Sequence, residues 1–276
     1  MVSKLEGLSK LQTQYFKRPE GTLAYSDYGG DGEPVLMLPG MGALRSEYRY
    51  LAPELHDAGY RAVTMDLRGQ GDSSVPWERY DVPSVGEDIL ALIEHLDAGP
   101  AHVIATSFSP APAIWAAVER PECIRSLVLI GAFARDPEPS AFMKAATWFM
   151  MNNPWRAQTW RAFYRTLYPT RKPADFEAYL DELSANLSQP GRFDAVKAFP
   201  NAPRKPSEER MSSVKAPTLV VMGTKDPDFP DPVEEGQYLA EAIGGQLVLI
   251  EGAGHYPQTE MPELTAPAVL DFLREV

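Results

Sequence analysis

Short apolar runs of strand length alternate with helical patterns over the first half of the chain. The runs lie at residues 34–38, 61–65, 102–104 and 126–130, and the stretches between them are long enough to hold helices. Residues 88–96 place their apolar side chains on one helical face. Buried strands that alternate with amphipathic helices are typical of βαβ units. The pattern therefore predicts an α/β fold with a mostly parallel, doubly wound sheet.

The strand pattern is absent from residues 136–215, which instead indicate several helices. Prolines interrupt this stretch at Pro139, Pro154, Pro169, Pro173, Pro190 and Pro200. Strand-like runs then resume, and residues 266–276 predict a closing helix with Thr265 as its N-cap. An all-helical stretch inserted between two strands is typical of a cap. We therefore expect a core formed by residues 1–135 and 216–276, and a helical cap, or lid, formed by residues 136–215.

Large apolar side chains are concentrated in the first part of this insertion. An amphipathic helix usually buries its apolar face, so packing between cap and core is the simpler explanation for any one of these side chains. A cap also lies over the substrate pocket, and pocket walls are mostly apolar. The candidate pocket residues are Trp148, Trp155, Trp160 and Phe163. They favour a small-molecule, apolar substrate.

A serine lies in a short turn between a predicted strand and a predicted helix. The segment Ala-Thr-Ser-Phe-Ser at residues 105–109 follows the apolar run that ends at Ile104 and precedes a helical pattern at residues 110–117. A sharp turn of this kind holds a nucleophilic hydroxyl at the end of a sheet, and it requires small residues two positions before and after the serine. Here those residues are Ala105 and Ser109 in place of the usual glycines. Ser107 is therefore the candidate nucleophile.

An aspartate and a histidine each follow a predicted strand in the last quarter of the chain. Asp226 comes after the apolar run at residues 219–222, and His255 comes after the run at residues 247–250. Sites in open α/β sheets form at the carboxyl ends of the strands, where these loops lie. His255 is the candidate base and Asp226 the candidate orienting acid. Three other carboxylates remain alternatives for the acid: Asp136, Asp228 and Asp231.

Five segments in this order resemble the α/β-hydrolase superfamily, and the resemblance covers nearly the whole chain. Besides the serine turn, residues 38–42 (LPGMG) are similar to the oxyanion loop of that family. Residues 66–73 (DLRGQGDS) are similar to its D-x-R-G-x-G-x-S turn, and residues 223–226 and 252–255 to its acid and histidine loops. The order nucleophile, acid, base is that of the same family. The chain most resembles esterase-like members with a helical cap.

The resemblance implies a role for each candidate residue. Ser107 would attack a carbonyl carbon while His255 takes its proton, and Asp226 would orient the imidazole. In this family the oxyanion is bound by two backbone N–H groups, which here belong to Phe108 and Met41. The implied activity is hydrolysis of carboxylic esters of small-to-medium apolar substrates through an acyl-enzyme.

Other activities remain open, because the fold and the triad do not separate them. The same three residues can serve lactone, thioester, carbon–carbon bond or peptide hydrolysis, as well as cofactor-free perhydrolysis. A ligand receptor or regulator that keeps the fold but turns over slowly is a further alternative, and the two altered elbow glycines leave room for it. Serine at position 107 argues against dehalogenase and epoxide hydrolase activity, since those relatives use aspartate there.

Composition narrows the partners and the location. The net charge of −12 would repel phosphate backbones, so we expect no nucleic-acid partner. One cysteine, Cys123, and the absence of a secretory pattern fit a cytoplasmic protein. No apolar run approaches the ~20 residues of a membrane span. We expect neither a metal nor a cofactor, since the sequence has no His/Cys cluster with metal-ligand spacing and no dinucleotide-binding fingerprint.

Overall fold

A computed structural model of the chain describes residues 11–136 and 141–276. Its centre is an eight-stranded sheet with the order β1-β2-β4-β3-β5-β6-β7-β8. The strands are β1 (Gln14–Arg18), β2 (Gly21–Asp27), β3 (Pro34–Leu38), β4 (Arg61–Met65), β5 (Ala101–Thr106), β6 (Ile124–Ile130), β7 (Thr218–Gly223) and β8 (Gln246–Ile250). β1 and β2 are antiparallel to their neighbours, whereas β3 to β8 run parallel. The predicted fold class is confirmed.

The strand order reverses between β3 and β5, which pair in parallel with Leu38 opposite Ala105. Because both strands end at the same edge of the sheet, the loops that follow them lie side by side. One of these loops carries the glycine-rich segment after Leu38, and the other carries Ser107. A crevice at such a switch point is where open α/β sheets bind their ligands.

Helices cover both faces of the sheet. In the described part of the chain the α-helices are α1 (Leu51–Asp57), α2 (Val82–Leu96), α3 (Pro110–Glu119), α4 (Ala141–Asn152), α5 (Arg156–Thr166), α6 (Phe176–Leu187), α7 (Arg192–Ala198), α8 (Lys205–Glu208), α9 (Pro232–Ile243), α10 (Pro257–Glu260) and α11 (Pro262–Glu275). Apolar side chains of α2, α3 and α9 belong to one buried cluster, and those of α1 and α11 belong to a second. Two apolar layers on opposite faces are the doubly wound arrangement. None of the helices in the two described ranges has the length and apolar character that crossing a membrane requires.

The closing helix begins earlier than the sequence predicts. α11 starts at Pro262, whose fixed φ suits the first position of a helix. Thr265 therefore lies inside the helix, and its hydroxyl donates to the carbonyl of Met261 at 3.1 Å. The prediction of Thr265 as the N-cap is wrong, because a proline at the first helical position was a stronger start signal than the threonine three residues later.

The inserted segment between β6 and β7 contains α4 to α8. Its apolar side chains form a third buried cluster, which also includes Ala43, Leu44 and Tyr256 from the rest of the chain. Next to two tyrosines of that cluster, the carboxylate of Glu47 is fully buried and accepts hydrogen bonds from the hydroxyls of Tyr164 (2.5 Å), Tyr168 (3.2 Å) and Thr259. We call these four residues the Glu47 junction. It connects the inserted segment to the sheet-bearing part of the molecule.

Candidate active site

Ser107 occupies a strained turn between β5 and α3. Its φ is +62°, in the left-handed region that a residue with a Cβ seldom adopts. The turn is held on both sides, because the N–H of Ser107 donates to the carbonyl of Ile130 and the carbonyl of Ser107 accepts from the N–H of Phe133, each at 2.9 Å. A strained residue fixed in this way presents its hydroxyl at the edge of the sheet.

The residues around the serine turn are small for steric reasons. A Cβ added to Gly40 would lie 2.7 Å from the Cβ of Ser107, so only glycine fits on that side. Ser109, which stands where the usual pattern has glycine, is fully buried and donates its hydroxyl to the carbonyl of Pro39 at 2.5 Å. That hydrogen bond ties the serine turn to the neighbouring glycine-rich loop. Ser109 therefore adds a connection that glycine could not make.

His255 lies beside Asp226. The Nδ1 atom of His255 is 2.7 Å from Oδ2 of Asp226, and both side chains are buried. The other oxygen of Asp226 accepts from the N–H of Asp228 at 2.9 Å, which fixes the carboxylate. The remaining carboxylates that the sequence left open have other partners. Asp136 accepts from the backbone N–H of Arg204 at 2.8 Å, and Asp231 caps α9 through the N–H groups of Val233 and Glu234.

The second ring nitrogen of His255 faces a second carboxylate. Nε2 is buried, accepts no hydrogen bond within the described ranges, and lies 3.8 Å from Oδ2 of Asp228. Burial disfavours the imidazolium and lowers the pKa of His255, but the charges of Asp226 and Asp228 outweigh burial and raise that pKa to about 9. Burial raises the pKa of Asp228 to about 6. The charge of His255 opposes this shift, and the charge of Asp226 adds to it.

Asp226, Asp228 and His255 also offer three possible metal-ligand atoms within 4.8 Å of one another. Hydrogen-bond geometry accounts for the first contact, since Nδ1–H of His255 donates to Asp226 at 2.7 Å. A nitrogen that carries a proton cannot bind a metal. On the other side of the imidazole ring, Nε2 and the Asp228 carboxylate are then the two remaining ligand groups. Two ligands do not make a typical closed site.

A cavity of about 1210 Å³ lies at this edge of the sheet and is lined by most of the candidate residues. Ser107, His255, Met41 and Phe108 all line it. Neither Met41 nor Phe108 uses its backbone N–H as a hydrogen-bond donor toward another residue of the described chain. Two unused N–H groups beside a nucleophile can bind the oxygen of a tetrahedral intermediate.

The four aromatic candidates of the inserted segment have different positions. Trp148 and Phe163 line the cavity, and Trp148 is 68% exposed. Trp160 also lines it but is almost fully buried, and its Nε1–H donates to the carbonyl of Gly42 at 2.9 Å. Trp155 is 66% exposed and is not among the described residues that line the cavity.

Two charged residues of the cavity wall, Asp228 and Arg204, have no motif that marks them as wall residues. The sequence offers Asp228 only as an alternative to Asp226, and Arg204 lies in a polar stretch, residues 204–210. Both reach the cavity through packing between segments far apart in the chain. No local pattern marks such a position.

The sheet order, with β3 to β8 parallel and helices on both faces, is that of the α/β hydrolase fold. The family model for the α/β hydrolase fold matches residues 33–262. The chain therefore belongs to the α/β-hydrolase superfamily.

The relatives of the chain include proteins with esterase names. The chain is 31% identical over 264 residues to a Mycobacterium tuberculosis protein provisionally named non-heme bromoperoxidase BpoC, covering 92% of this chain and 98% of the relative. It is 27% identical over 246 residues to the pimeloyl-[acyl-carrier protein] methyl ester esterase of Neisseria meningitidis, covering 87% and 92%. A solved structure of a thermophilic esterase from Thermogutta terrifontis with malate bound has a TM-score of 0.78 at 26% identity, covering 96% and 98%.

Proposed function

We propose that this protein hydrolyses carboxylic esters through an acyl-enzyme at Ser107. The observation that carries the proposal is the common cavity of a strained serine and a buried histidine whose Nδ1 is paired with Asp226. The names of the esterase relatives favour esters over the other bonds that this triad can cleave. The apolar part of the cavity wall suits a small-to-medium substrate with an apolar body.

The proposed reaction has two halves. In the first, His255 Nε2 accepts the proton of Ser107 as its oxygen attacks the carbonyl carbon, and the N–H groups of Met41 and Phe108 bind the developing oxyanion. The imidazolium then gives its proton to the departing alcohol, which leaves an acyl group on Ser107. In the second half, water gives a proton to His255 and attacks the acyl carbon. The bond from that carbon to Ser107 then breaks, the imidazolium returns the proton to the Ser107 oxygen, and the acid product leaves.

We further propose that residues 136–215 act as a cap over this reaction, separate from the core formed by residues 1–135 and 216–276. Trp148, Trp160 and Phe163 from this segment line the cavity that contains Ser107. Side chains of the segment would therefore select which esters reach the serine. Residues 137–140 lie outside the described ranges.

The experiment that tests the proposal is labelling with a fluorophosphonate followed by turnover of short-chain nitrophenyl esters. We expect one label per chain, at Ser107, and loss of both labelling and turnover in Ser107→Ala. Ser188→Ala is the matched control and should leave the label in place, because Ser188 is exposed and is not among the described residues that line the cavity. Labelling without multiple turnovers would support the receptor alternative, and labelling of Ser107→Ala would contradict the proposed nucleophile.

A further inference from the structure

Arg204 is a buried cation in the wall of the cavity that holds Ser107. It is only 5% exposed, yet it lines the same cavity as the serine and the histidine. Its guanidinium carbon lies 5.5 Å from the ring centroid of Phe108, the residue that follows the nucleophile. The positive charge is therefore close to the reacting centre along the wall of the cavity.

The guanidinium of Arg204 lacks the partners that a buried arginine normally has. Its Nη1 donates to the carbonyl of Ala202 at 3.1 Å, whereas its Nε is buried and has no hydrogen-bond partner among the described residues. Arg68 provides the comparison, since it is 3% exposed and forms two hydrogen bonds, of 2.7 and 2.9 Å, to the carboxylate of Asp88. No carboxylate in the described ranges forms an ion pair with Arg204.

The charge of Arg204 persists despite its burial. Burial lowers the pKa of Arg204, and Asp136 opposes that effect, but a guanidinium remains protonated at neutral pH. One oxygen of Asp136, Oδ1, already accepts the backbone N–H of Arg204. A buried guanidinium with too few hydrogen-bond acceptors is unfavourable unless a ligand supplies the missing acceptors. A planar carboxylate matches the planar fork of a guanidinium.

Other charged groups also line the cavity. Lys144 and Lys197 add positive charge, and Asp136 and Asp228 add negative charge. The carboxylate of Asp228 is 3.8 Å from His255. Among the three arginine and lysine residues that line the wall in the described chain, Arg204 is distinguished by its burial, since Lys144 is exposed and Lys197 is half-buried.

We propose that Arg204 binds a free carboxylate on the substrate, so that the preferred esters are monoesters of dicarboxylic acids. This inference rests on the proposed esterase function and adds an acidic group to its apolar substrate. The carboxylate accepts from the guanidinium, the apolar chain lies along the cavity wall, and the ester carbonyl reaches Ser107.

The test compares monomethyl and dimethyl esters of linear dicarboxylic acids from four to ten carbons. We expect the wild type to prefer the monoester in kcat/KM. Arg204→Gln should lower kcat/KM for the monoester by about 10- to 100-fold, chiefly through KM, because a charge-assisted hydrogen bond of this kind is lost. Turnover of the dimethyl ester should change little. For the monoester, the kcat/KM of Arg204→Lys should lie between those of the wild type and Arg204→Gln.

Arg210→Gln is the matched control. Arg210 is also stacked over an aromatic ring, that of Trp115 at 5.9 Å, but it pairs with Glu119 and is not among the described residues that line the cavity. It should leave the preference for monoesters unchanged. Equal losses for both esters in Arg204→Gln would make Arg204 a structural residue and overturn the proposal. A wild-type preference for the dimethyl ester would overturn it as well.

Binding of the free dicarboxylic acids separates this proposal from the esterase proposal. Calorimetry on Ser107→Ala should detect binding of one of these acids, and the added change Arg204→Gln should abolish it. Binding that depends on Arg204 without any ester turnover would retain the carboxylate site and reject the esterase function. Binding that is unaffected by Arg204→Gln would reject the carboxylate site alone. If Arg204→Gln does not fold, Arg204→Lys serves in both assays, with weaker binding and a lower monoester preference expected.

Discussion

At the scale of single residues, strain and close contacts explain why these side chains stand at these positions. Ser107 has a φ of +62°, and a Cβ at position 40 would clash with the Cβ of Ser107, so that position is a glycine. Small residues on either side of a candidate serine can be recognised in a sequence. The hydrogen bond from Ser109 to Pro39 cannot, because it joins segments about 70 positions apart. Arg204 and Asp228 also reach the cavity through contacts of that kind.

The orienting role of Asp226 gives the first prediction. Asp226→Asn should lower kcat by about 10³- to 10⁴-fold, because an amide favours the wrong imidazole tautomer. The fold should be retained, which circular dichroism can check. Asp136→Asn is the control and should keep most of the activity, since Asp136 bonds to the backbone of Arg204. Full activity in Asp226→Asn with loss in Asp136→Asn would transfer the role.

The second prediction concerns pH and Asp228. His255 must be neutral to accept a proton, and its pKa is raised to about 9, partly by Asp228. Activity should therefore rise as the pH increases through the pKa of His255, and this acid limb should lie above the ordinary imidazole value of about 6.5. Asp228→Asn removes a negative charge beside the imidazolium, so the pKa of His255 should fall and the limb should move to lower pH, by about one unit.

The pH dependence of kcat/KM for a neutral ester is the measurement. Asp271→Asn is the control, because Asp271 is exposed on α11 and pairs with Arg274. It should leave the limb in place. An acid limb that stays fixed in Asp228→Asn, or that moves to higher pH, would contradict the coupling between Asp228 and His255.

At the scale of elements, the strands were predicted better than the start of the last helix. Buried parallel strands have continuous apolar sequences with clear ends, so the runs at residues 34–38 and 61–65 coincide with β3 and β4. Helix starts depend on competing local signals, and at α11 the N-cap is Met261, followed by Pro262 at the first helical position, in place of the predicted N-cap Thr265. The packing of the inserted helices depends on long-range contacts such as the Glu47 junction, which no periodicity indicates.

The Glu47 junction gives the third prediction. Glu47→Gln replaces a carboxylate that accepts three hydroxyl hydrogen bonds by an amide with a single acceptor oxygen. An amide NH2 would replace one of the two acceptor oxygens, so at least one of these hydrogen bonds would be lost and the free energy of unfolding should fall by about 1–3 kcal/mol. Thermal and urea unfolding measure the change. Glu241→Gln, on the exposed face of α9, is the control and should be neutral. Unchanged stability in Glu47→Gln would mean that the junction contributes little.

At the scale of the whole molecule, the inserted segment and the sheet edge both contribute side chains to the cavity that contains Ser107. The fourth prediction is that side chains of the inserted segment determine which esters are hydrolysed. Trp148→Ala and Phe163→Ala should change the rank order of an ester panel, because both side chains line the cavity. Trp155→Ala is the control and should leave the order unchanged, since Trp155 is about as exposed as Trp148 but is not among the described residues that line the cavity.

Trp160→Ala should differ from both. Trp160 is 2% exposed and donates to the carbonyl of Gly42, so its removal should destabilise the fold by about 3–5 kcal/mol. If the variants at positions 148 and 163 lose stability and keep the rank order, the segment is packed structure without a role in specificity.

Intact-mass analysis of the enzyme quenched during turnover of a nitrophenyl ester tests the acyl-enzyme mechanism most directly. We expect a burst of nitrophenol that approaches one equivalent per chain, together with an added mass equal to the acyl group that peptide mapping places on Ser107. His255→Ala should suppress the burst. Turnover without an acyl adduct, or an adduct on another residue with full activity in Ser107→Ala, would contradict the acyl-enzyme mechanism.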